Sequence, residues 1–194
     1  MNKYEISELV GAIIGDGNIW AKKYEIVITG DKTKDSSYFE YLTGLIKRNF
    51  GYSPHIRYRE GALRLVVRSK QIFEALSCFF PNGKTAKTVK IPENVDDYAV
   101  LRGIFDTDGS IFFSKKPGIC EYPAIEITTI SKTLAGQLLE LLQKLEFRPT
   151  IRSSKEINET FKIALNGRRQ TEMWLERIGS SNKTKLEKLL LVNA

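Results

Sequence analysis

One pattern occurs twice in this chain, and that repetition constrains the fold more than any other feature. Leu9-Val10-Gly11-Ala12-Ile13-Ile14-Gly15-Asp16-Gly17 returns as Leu101-Arg102-Gly103-Ile104-Phe105-Asp106-Thr107-Asp108-Gly109. Each copy is an apolar helical stretch with small residues at matched sites and a terminal Asp-Gly. Strand-like alternation follows in both: Glu25 to Thr29 parallels Glu126 to Thr129, and each leads into an amphipathic helix, Tyr38 to Phe50 and Leu134 to Phe147. Two further strands come next, Pro54 to Arg57 with Leu65 to Ser69 in the first copy, and Pro149 to Arg152 with Ile163 to Gly167 in the second. Phe80 to Lys87 and Ile178 to Lys185 close the copies, each ending on a lysine at equal distance.

The order predicts an α+β fold of two αββαββα repeats related by a pseudo-twofold axis, residues 1–90 and 91–194, each with an antiparallel sheet. The connector runs from about Lys84 to Tyr98, where Pro92 and the polar Asn94 to Asp97 cluster interrupt any helix. Alternating strands leave one sheet face for helices and one for a polar partner. The first helix, Leu9 to Gly15, is apolar nearly all round, which marks it as buried. Gly11 and Gly15 lie four apart on one face, as do Gly103 and Thr107. The natural partner of one motif helix is therefore the other, and their terminal aspartates become neighbours.

Composition narrows what such a fold can do. With 42% apolar residues in 194, the chain can bury a core. A net charge of +7 favours a polyanion. Cys78 and Cys120 lack the spacing of a zinc site or a disulfide framework and read as reduced core thiols. His55 is the single histidine, so histidine-based triads and two-histidine metal motifs have little to rest on. No stretch approaches the ~20 apolar residues of a membrane span, and Met1 to Val10 is too polar for a signal peptide. An intracellular protein of cytoplasm or organelle matrix, neither membrane-bound nor secreted, is expected.

Asp16 and Asp108 end their helices, where unpaired carbonyls already carry partial negative charge and lysine is the usual occupant. An acid placed there twice, before a glycine suited to a left-handed cap, points to a cation that neutralises the carboxylates together with the carbonyls of Gly15 and Thr107. Hard oxygen donors of this kind suit Mg2+, with Mn2+ as a second candidate, and a pair at one axis suits two-metal phosphoryl transfer. An EF-hand reading of Asp106 to Gly109 fails, because Gly109 falls at loop position four and Pro117 at twelve. A turn-forming role for Asp-Gly and a glycosidase-like acid pair are the other readings of these residues.

The two nonapeptides resemble the motif that names the LAGLIDADG homing endonucleases, and the repeat order extends the resemblance over essentially the whole chain. Ile14 departs from the motif's sixth-position acid, which Asp106 keeps. The resemblance implies motif helices at the central interface and two four-stranded sheets forming a saddle on the DNA major groove. It also implies acids at the scissile phosphates, here Asp16 and Asp108, and a central lysine in each half. Lys87 and Lys185 are the matches, with Lys84 and Lys183 close competitors. Asp31 and Ser131 match a further polar position near the family's active centre.

Outward-facing sheet residues should then be basic. Lys22, Lys23, Arg57, Arg59, Arg64 and Arg68 supply the first sheet, with Trp20, Tyr24 and Tyr58 interleaved; Lys115, Lys116, Arg148, Arg152, Lys155 and Lys162 supply the second. Arg57, Arg64, Arg68 and Arg152 are the expected base readers, since arginine bridges guanine O6 and N7. The expected activity is metal-dependent hydrolysis of both strands of a long, loosely palindromic duplex by a monomer, in the service of intron homing. The alternative on the same scaffold is an intron-RNA maturase or a nucleic-acid-binding protein.

Overall fold

The computed structural model describes residues 1–59, 61–154 and 159–193, with the side chains of 119, 120 and 193 left aside. The first repeat comprises α1 (Lys3–Asp16), β1 (Gly17–Trp20), β2 (Glu25–Asp31), α2 (Ser36–Phe50), β3 (His55–Arg59), β4 (Ala62–Arg68) and α3 (Lys70–Ser77). The second comprises α4 (Asp97–Asp108), β5 (Gly109–Lys116), β6 (Ile119–Thr129), α5 (Lys132–Lys144), β7 (Thr150–Ser154), β8 (Thr160–Asn166), α6 (Arg168–Arg177) and α7 (Lys183–Leu190). Each repeat forms one antiparallel four-stranded sheet, in the orders β1-β2-β4-β3 and β5-β6-β8-β7. The α+β architecture with two similar halves is as expected. Helix α7 is an addition with no counterpart among the described residues of the first repeat.

Strand register makes the two halves equivalent residue by residue. Gly17 faces Ile28, Ile28 faces Leu65 and Arg57 faces Arg64; in the second sheet Gly109 faces Ile127, Ile127 faces Ile163 and Arg152 faces Lys162. Period-two alternation sends Ile26, Ile28, Leu63, Leu65 and Val67 of one sheet, and Ile111, Ile125, Ile127, Ile163 and Leu165 of the other, into the core. Tyr38, Phe39, Leu42 and Leu45 of α2 and Leu134, Leu138 and Leu142 of α5 join the same continuous core.

Helices α1 and α4 pack backbone to backbone. A β-carbon on Gly11 would lie 2.3 Å from the Val100 carbonyl oxygen, and one on Gly103 would lie 2.1 Å from that of Glu8. Asn2 caps α1 through Tyr4 N–H at 2.9 Å, and Asp96 caps α4 through Ala99 N–H at 2.9 Å. The Asp96 N–H donates to Ser7 Oγ at 2.8 Å, so the start of α4 is fastened to α1 as well.

Two details differ from the expected picture. Gly17 and Gly109 are not left-handed caps; both are extended, with φ of −83° and −85°. Glycine is required there because each strand turns straight back on its own helix: a β-carbon on Gly17 would lie 2.5 Å from Ile13 Cα, and one on Gly109 2.2 Å from Phe105 Cδ2. Cys78 is exposed just beyond α3, not a core thiol, and the Cys120 side chain lies outside the described residues. The connector after Cys78 is anchored by a pair of hydrogen bonds between Ile91 and Gln137 of α5, at 2.8 and 3.0 Å. Among the described residues no helix is long and apolar enough to cross a membrane.

The close approach predicts a contrast between glycines. Gly11→Val places methyl groups against a backbone carbonyl that cannot move aside, and should lower unfolding free energy by about 3 kcal/mol in urea denaturation. Gly136→Ala, in the middle of α5 with nothing within 4 Å of the new carbon, should raise it by about 0.5–1 kcal/mol.

Candidate active site at the paired motif helices

The α1–α4 contact brings Asp16 and Asp108 to one end of the interface. A β-carbon on Gly15 would lie 3.2 Å from Asp108 Oδ2, so the second carboxylate sits directly against the first motif's last turn. Neither carboxylate has a hydrogen bond or ion pair among the described residues, although both are surrounded by polar groups. Burial raises the Asp16 pKa, against the attraction of Lys185 and Lys84. Burial and then the like charge of Asp16 push Asp108 up to about 6, again opposed by Lys84 and Lys185. Two neighbouring carboxylates, one of which raises the pKa of the other, with no protein cation bonded to them among the described residues, are suited to a hard divalent ion.

The helix ends are neutralised by lysines that arrive from far along the chain. Lys84 Nζ donates to the carbonyls of Gly15 at 2.8 Å and Gly17 at 2.6 Å. Lys185 Nζ donates to those of Phe105, Asp106 and Thr107 at 2.7, 2.9 and 3.0 Å. These contacts supply the positive charge that neither helix carries in its own last turn. The Gly15 and Thr107 carbonyls, expected as metal ligands, each accept one ammonium hydrogen bond, which leaves a second lone pair on each oxygen. Burial lowers the pKa of both lysines, with the aspartates pulling in the opposite sense.

The lysine of the first repeat is Lys84, not Lys87. Lys87 is exposed and lies by Ile130, Lys132 and Phe161, away from the carboxylates. Counting seven residues from Phe80 and from Ile178 selects Lys87 and Lys185, but Lys185 reaches its helix end from the first turn of the extra helix α7, whereas Lys84 does so from the connector beyond α3. The first repeat reaches its helix end by a shorter loop. Lys183 is exposed, at the start of α7. Asp31 is likewise displaced: its carboxylate is exposed and accepts from Thr33 and Lys34 N–H, which hold its pKa below the usual range. The residue equivalent to Ser131 is Asp35, each standing immediately before the second helix of its repeat.

A buried polar network lies behind the acids. Glu8, fully buried, accepts from Tyr41 Oη at 2.9 Å and Ser181 Oγ at 2.5 Å, with Arg102 3.7 Å away. Asp106, also buried, accepts from the Ser180 hydroxyl and from Ser181 N–H, and burial pushes its pKa up to about 7. Sequence reading recorded Asp106 only as a motif acid; its partners are more than seventy residues away.

The sheet faces opposite the helices carry the expected basic side chains in part. Arg57 and Arg64 face each other across β3 and β4, and Arg152 and Lys162 do so at the equivalent place on β7 and β8. Arg59 is exposed on β3, and Lys22 and Lys23 are exposed in the turn after β1, where Lys23 lies over the Trp20 ring at 4.7 Å. Arg68 is bonded to Glu25, and Lys162 to Glu126 at 2.9 Å, so these two are internally neutralised. Lys115 and Arg148 are exposed, Lys116 sits 3.5 Å from the Tyr122 ring centroid, and Lys155 lies outside the described residues. Phe112, which sequence reading passed over, is exposed on β5 at the position equivalent to Trp20 on β1.

Comparison with known proteins agrees with this geometry. Residues 97–179 match the LAGLIDADG-like domain model. The homing endonuclease I-DmoI in complex with DNA and Ca superposes with a TM-score of 0.66 at 19% identity, covering 100% of both chains. Its complex with DNA and Mn gives 0.63 at 18% identity over 91% of this chain and 97% of that one. I-LtrWI bound to target DNA gives 0.63 at 15% identity, covering 98% and 90%. A curated relative, the replication factor C small subunit of Thermococcus kodakarensis, is 28% identical over 95% of this chain, which spans only 21% of that protein. Residues 97–179 thus resemble a LAGLIDADG-like domain, and the whole chain shares the two-repeat fold of I-DmoI and I-LtrWI.

Glu8 generates a pH prediction. Burial raises its pKa, with the Ser181 and Arg102 contacts opposing; its folded value therefore lies above its unfolded one. That sign makes the folded chain bind the proton more tightly, so Glu8's contribution to stability is fullest below the unfolded pKa of about 4.3 and falls as pH rises through the folded value. Melting temperature measured from pH 4 to 8 should decline less steeply in Glu8→Gln than in the parent chain.

Proposed function

We propose that this chain is a site-specific endonuclease that hydrolyses one phosphodiester in each strand of a long, loosely palindromic DNA duplex. The observation that carries the proposal is the pair of carboxylates, Asp16 and Asp108, without bonded partners among the described residues, held together at the ends of two tightly packed helices, each flanked by a half-buried lysine. The basic outer sheet faces supply the polyanion-binding surface, and two proteins of the same fold, I-DmoI and I-LtrWI, have been seen bound to DNA.

In this reading Asp16 and Asp108 hold divalent cations, with magnesium or manganese as the working ions. A bound ion of this kind lowers the pKa of water and stabilises charge on a phosphate. Lys84 and Lys185 keep positive charge beside the acids, where negative charge grows on the phosphate as a water oxygen bonds to phosphorus and the bond to the leaving sugar oxygen breaks. In the same reading Arg57, Arg64 and Arg152 contact base edges, and the lysines at the sheet ends contact phosphates. The sheets differ in their neutralised residues, Arg68 in one and Lys162 in the other, so the two half-sites differ. With both halves in one chain, a monomer suffices. An intracellular location and a role in homing belong to the same proposal.

Incubation with a randomised duplex library and magnesium, with calcium as the control, should yield cut ends sharing one long asymmetric motif. On that duplex, Asp16→Asn and Asp108→Asn should each lower double-strand cleavage by about a hundredfold or more while retaining DNA binding. Lys84→Met should also slow cleavage strongly, and Lys87→Met should not. A folded chain that binds duplex but leaves it uncut in magnesium and manganese would count against the nuclease, and intron-RNA binding would become the next test.

A further inference from the structure

Each of the two lysines at the helix ends belongs to a segment fastened by the opposite repeat, Lys84 to a connector and Lys185 to the first turn of α7. In the second repeat, Ser131 is fully buried at the start of α5, where its Oγ accepts from Leu134 N–H at 3.2 Å and donates to the Val89 carbonyl at 2.6 Å. Val89 belongs to the first repeat's lysine loop, and its own N–H returns to the Thr85 carbonyl at 2.9 Å, one residue from Lys84. In the first repeat, Asp35 stands at the equivalent place before α2. Its Oδ1 accepts from Asn182 Nδ2 at 2.9 Å, and Asn182 in turn accepts Lys185 N–H on its carbonyl at 3.0 Å. Thr184 Oγ1 adds a bond to the Lys34 carbonyl at 3.0 Å.

We infer that Asp35 and Ser131 are positioning residues, each holding the lysine loop of the opposite repeat so that Lys185 and Lys84 reach their helix ends only when the two repeats are docked. Among the described residues neither side chain is bonded to Asp16, Asp108 or a lysine ammonium; Ser131 acts through its contact with the Lys84 segment, and Asp35 acts through Asn182 and also by its charge on Asp16 and Lys185. The clasps are chemically unlike, a hydroxyl donating to a carbonyl in one and a carboxylate accepting from a buried amide in the other. Position rather than residue type is what the halves share. They also differ in reinforcement. Asp106 adds two bonds to the loop of Lys185, through Ser180 and Ser181, whereas Ile14 stands at the matching place in the first repeat. Lys84 therefore depends more on Ser131 than Lys185 does on Asp35.

The consequence for strand cutting rests on the endonuclease reading; the positioning itself does not. Amine acetylation of the intact chain, with rates resolved by lysine in mass spectrometry, tests the positioning alone. Ser131→Ala should speed labelling of Lys84 by roughly tenfold and leave Lys185 protected, and Asp35→Ala should do the reverse to a smaller degree. Ser131→Thr, which keeps the hydroxyl, should retain protection of Lys84. Asp35 is only half-buried, so its variant carries the test by itself if Ser131→Ala does not fold. Unchanged protection of Lys185 in a folded Asp35→Ala chain, or release of both lysines together, would overturn the inference. On a cleavable duplex, each variant should accumulate molecules nicked in one strand, with the intact strand opposite in the two variants. Equal slowing of both strands would contradict selective positioning. Failure of the parent chain to cut any duplex would count against the endonuclease reading and leave the labelling result to decide the positioning.

Discussion

Contact between two helix backbones, at Gly11 and Gly103, is what the rest of the molecule depends on. Side chains larger than hydrogen at these sites would run into the carbonyls of Val100 and Glu8, so the helices approach to a distance that only small residues allow. That approach places both aspartates at one end of the interface and forms the junction between repeats from the middle of the core, not its edge. It also sets the pseudo-twofold relation that makes Arg57 and Arg64 equivalent to Arg152 and Lys162.

The electrostatics follow from the same contact. Two helix C-termini directed to one place concentrate negative partial charge, and two carboxylates add to it. The chain answers with ammonium groups on the carbonyls and, among the described residues, leaves the carboxylates without a bonded partner. This division separates two tasks. The lysines stabilise the helix ends whether or not a metal ion is present, and the acids stay available to an ion and its phosphate. The upward displacement of Asp108 to about 6, caused by burial and then by Asp16, accompanies that arrangement: the neighbouring ammonium groups are bonded to carbonyls and not to the carboxylate, so an external cation has more to offer it.

Much of this was legible in the sequence because it is local. The nonapeptides, the glycines of the helix contact and the strand alternation all lie within short windows, and repetition removed the ambiguity that a single Asp-Gly would have. What was not legible depends on contacts across the chain. Lys87 is the match that counting gives, with Lys84 a close competitor, because counting assumes equal connections, whereas Lys185 lies in the first turn of α7 and Lys84 in a connector without that helix. Asp31 was matched to Ser131 because the turn after β2 is longer than the turn after β6 by a few residues, which moves the equivalent position to Asp35. The glycine after each aspartate was rightly singled out for the wrong reason: steric closeness to Ile13 and Phe105 requires it, and its φ is ordinary. Basic sheet residues could be enumerated from composition, but their neutralisation by Glu25 and Glu126 is a matter of register.

Calorimetric titration of manganese into the chain, bound to a duplex chosen from the library, tests most directly whether the paired aspartates form a metal centre. The account predicts saturable manganese binding that disappears in the Asp16→Asn, Asp108→Asn double variant while duplex affinity is retained. Manganese binding of unchanged stoichiometry and affinity in the double variant would contradict it.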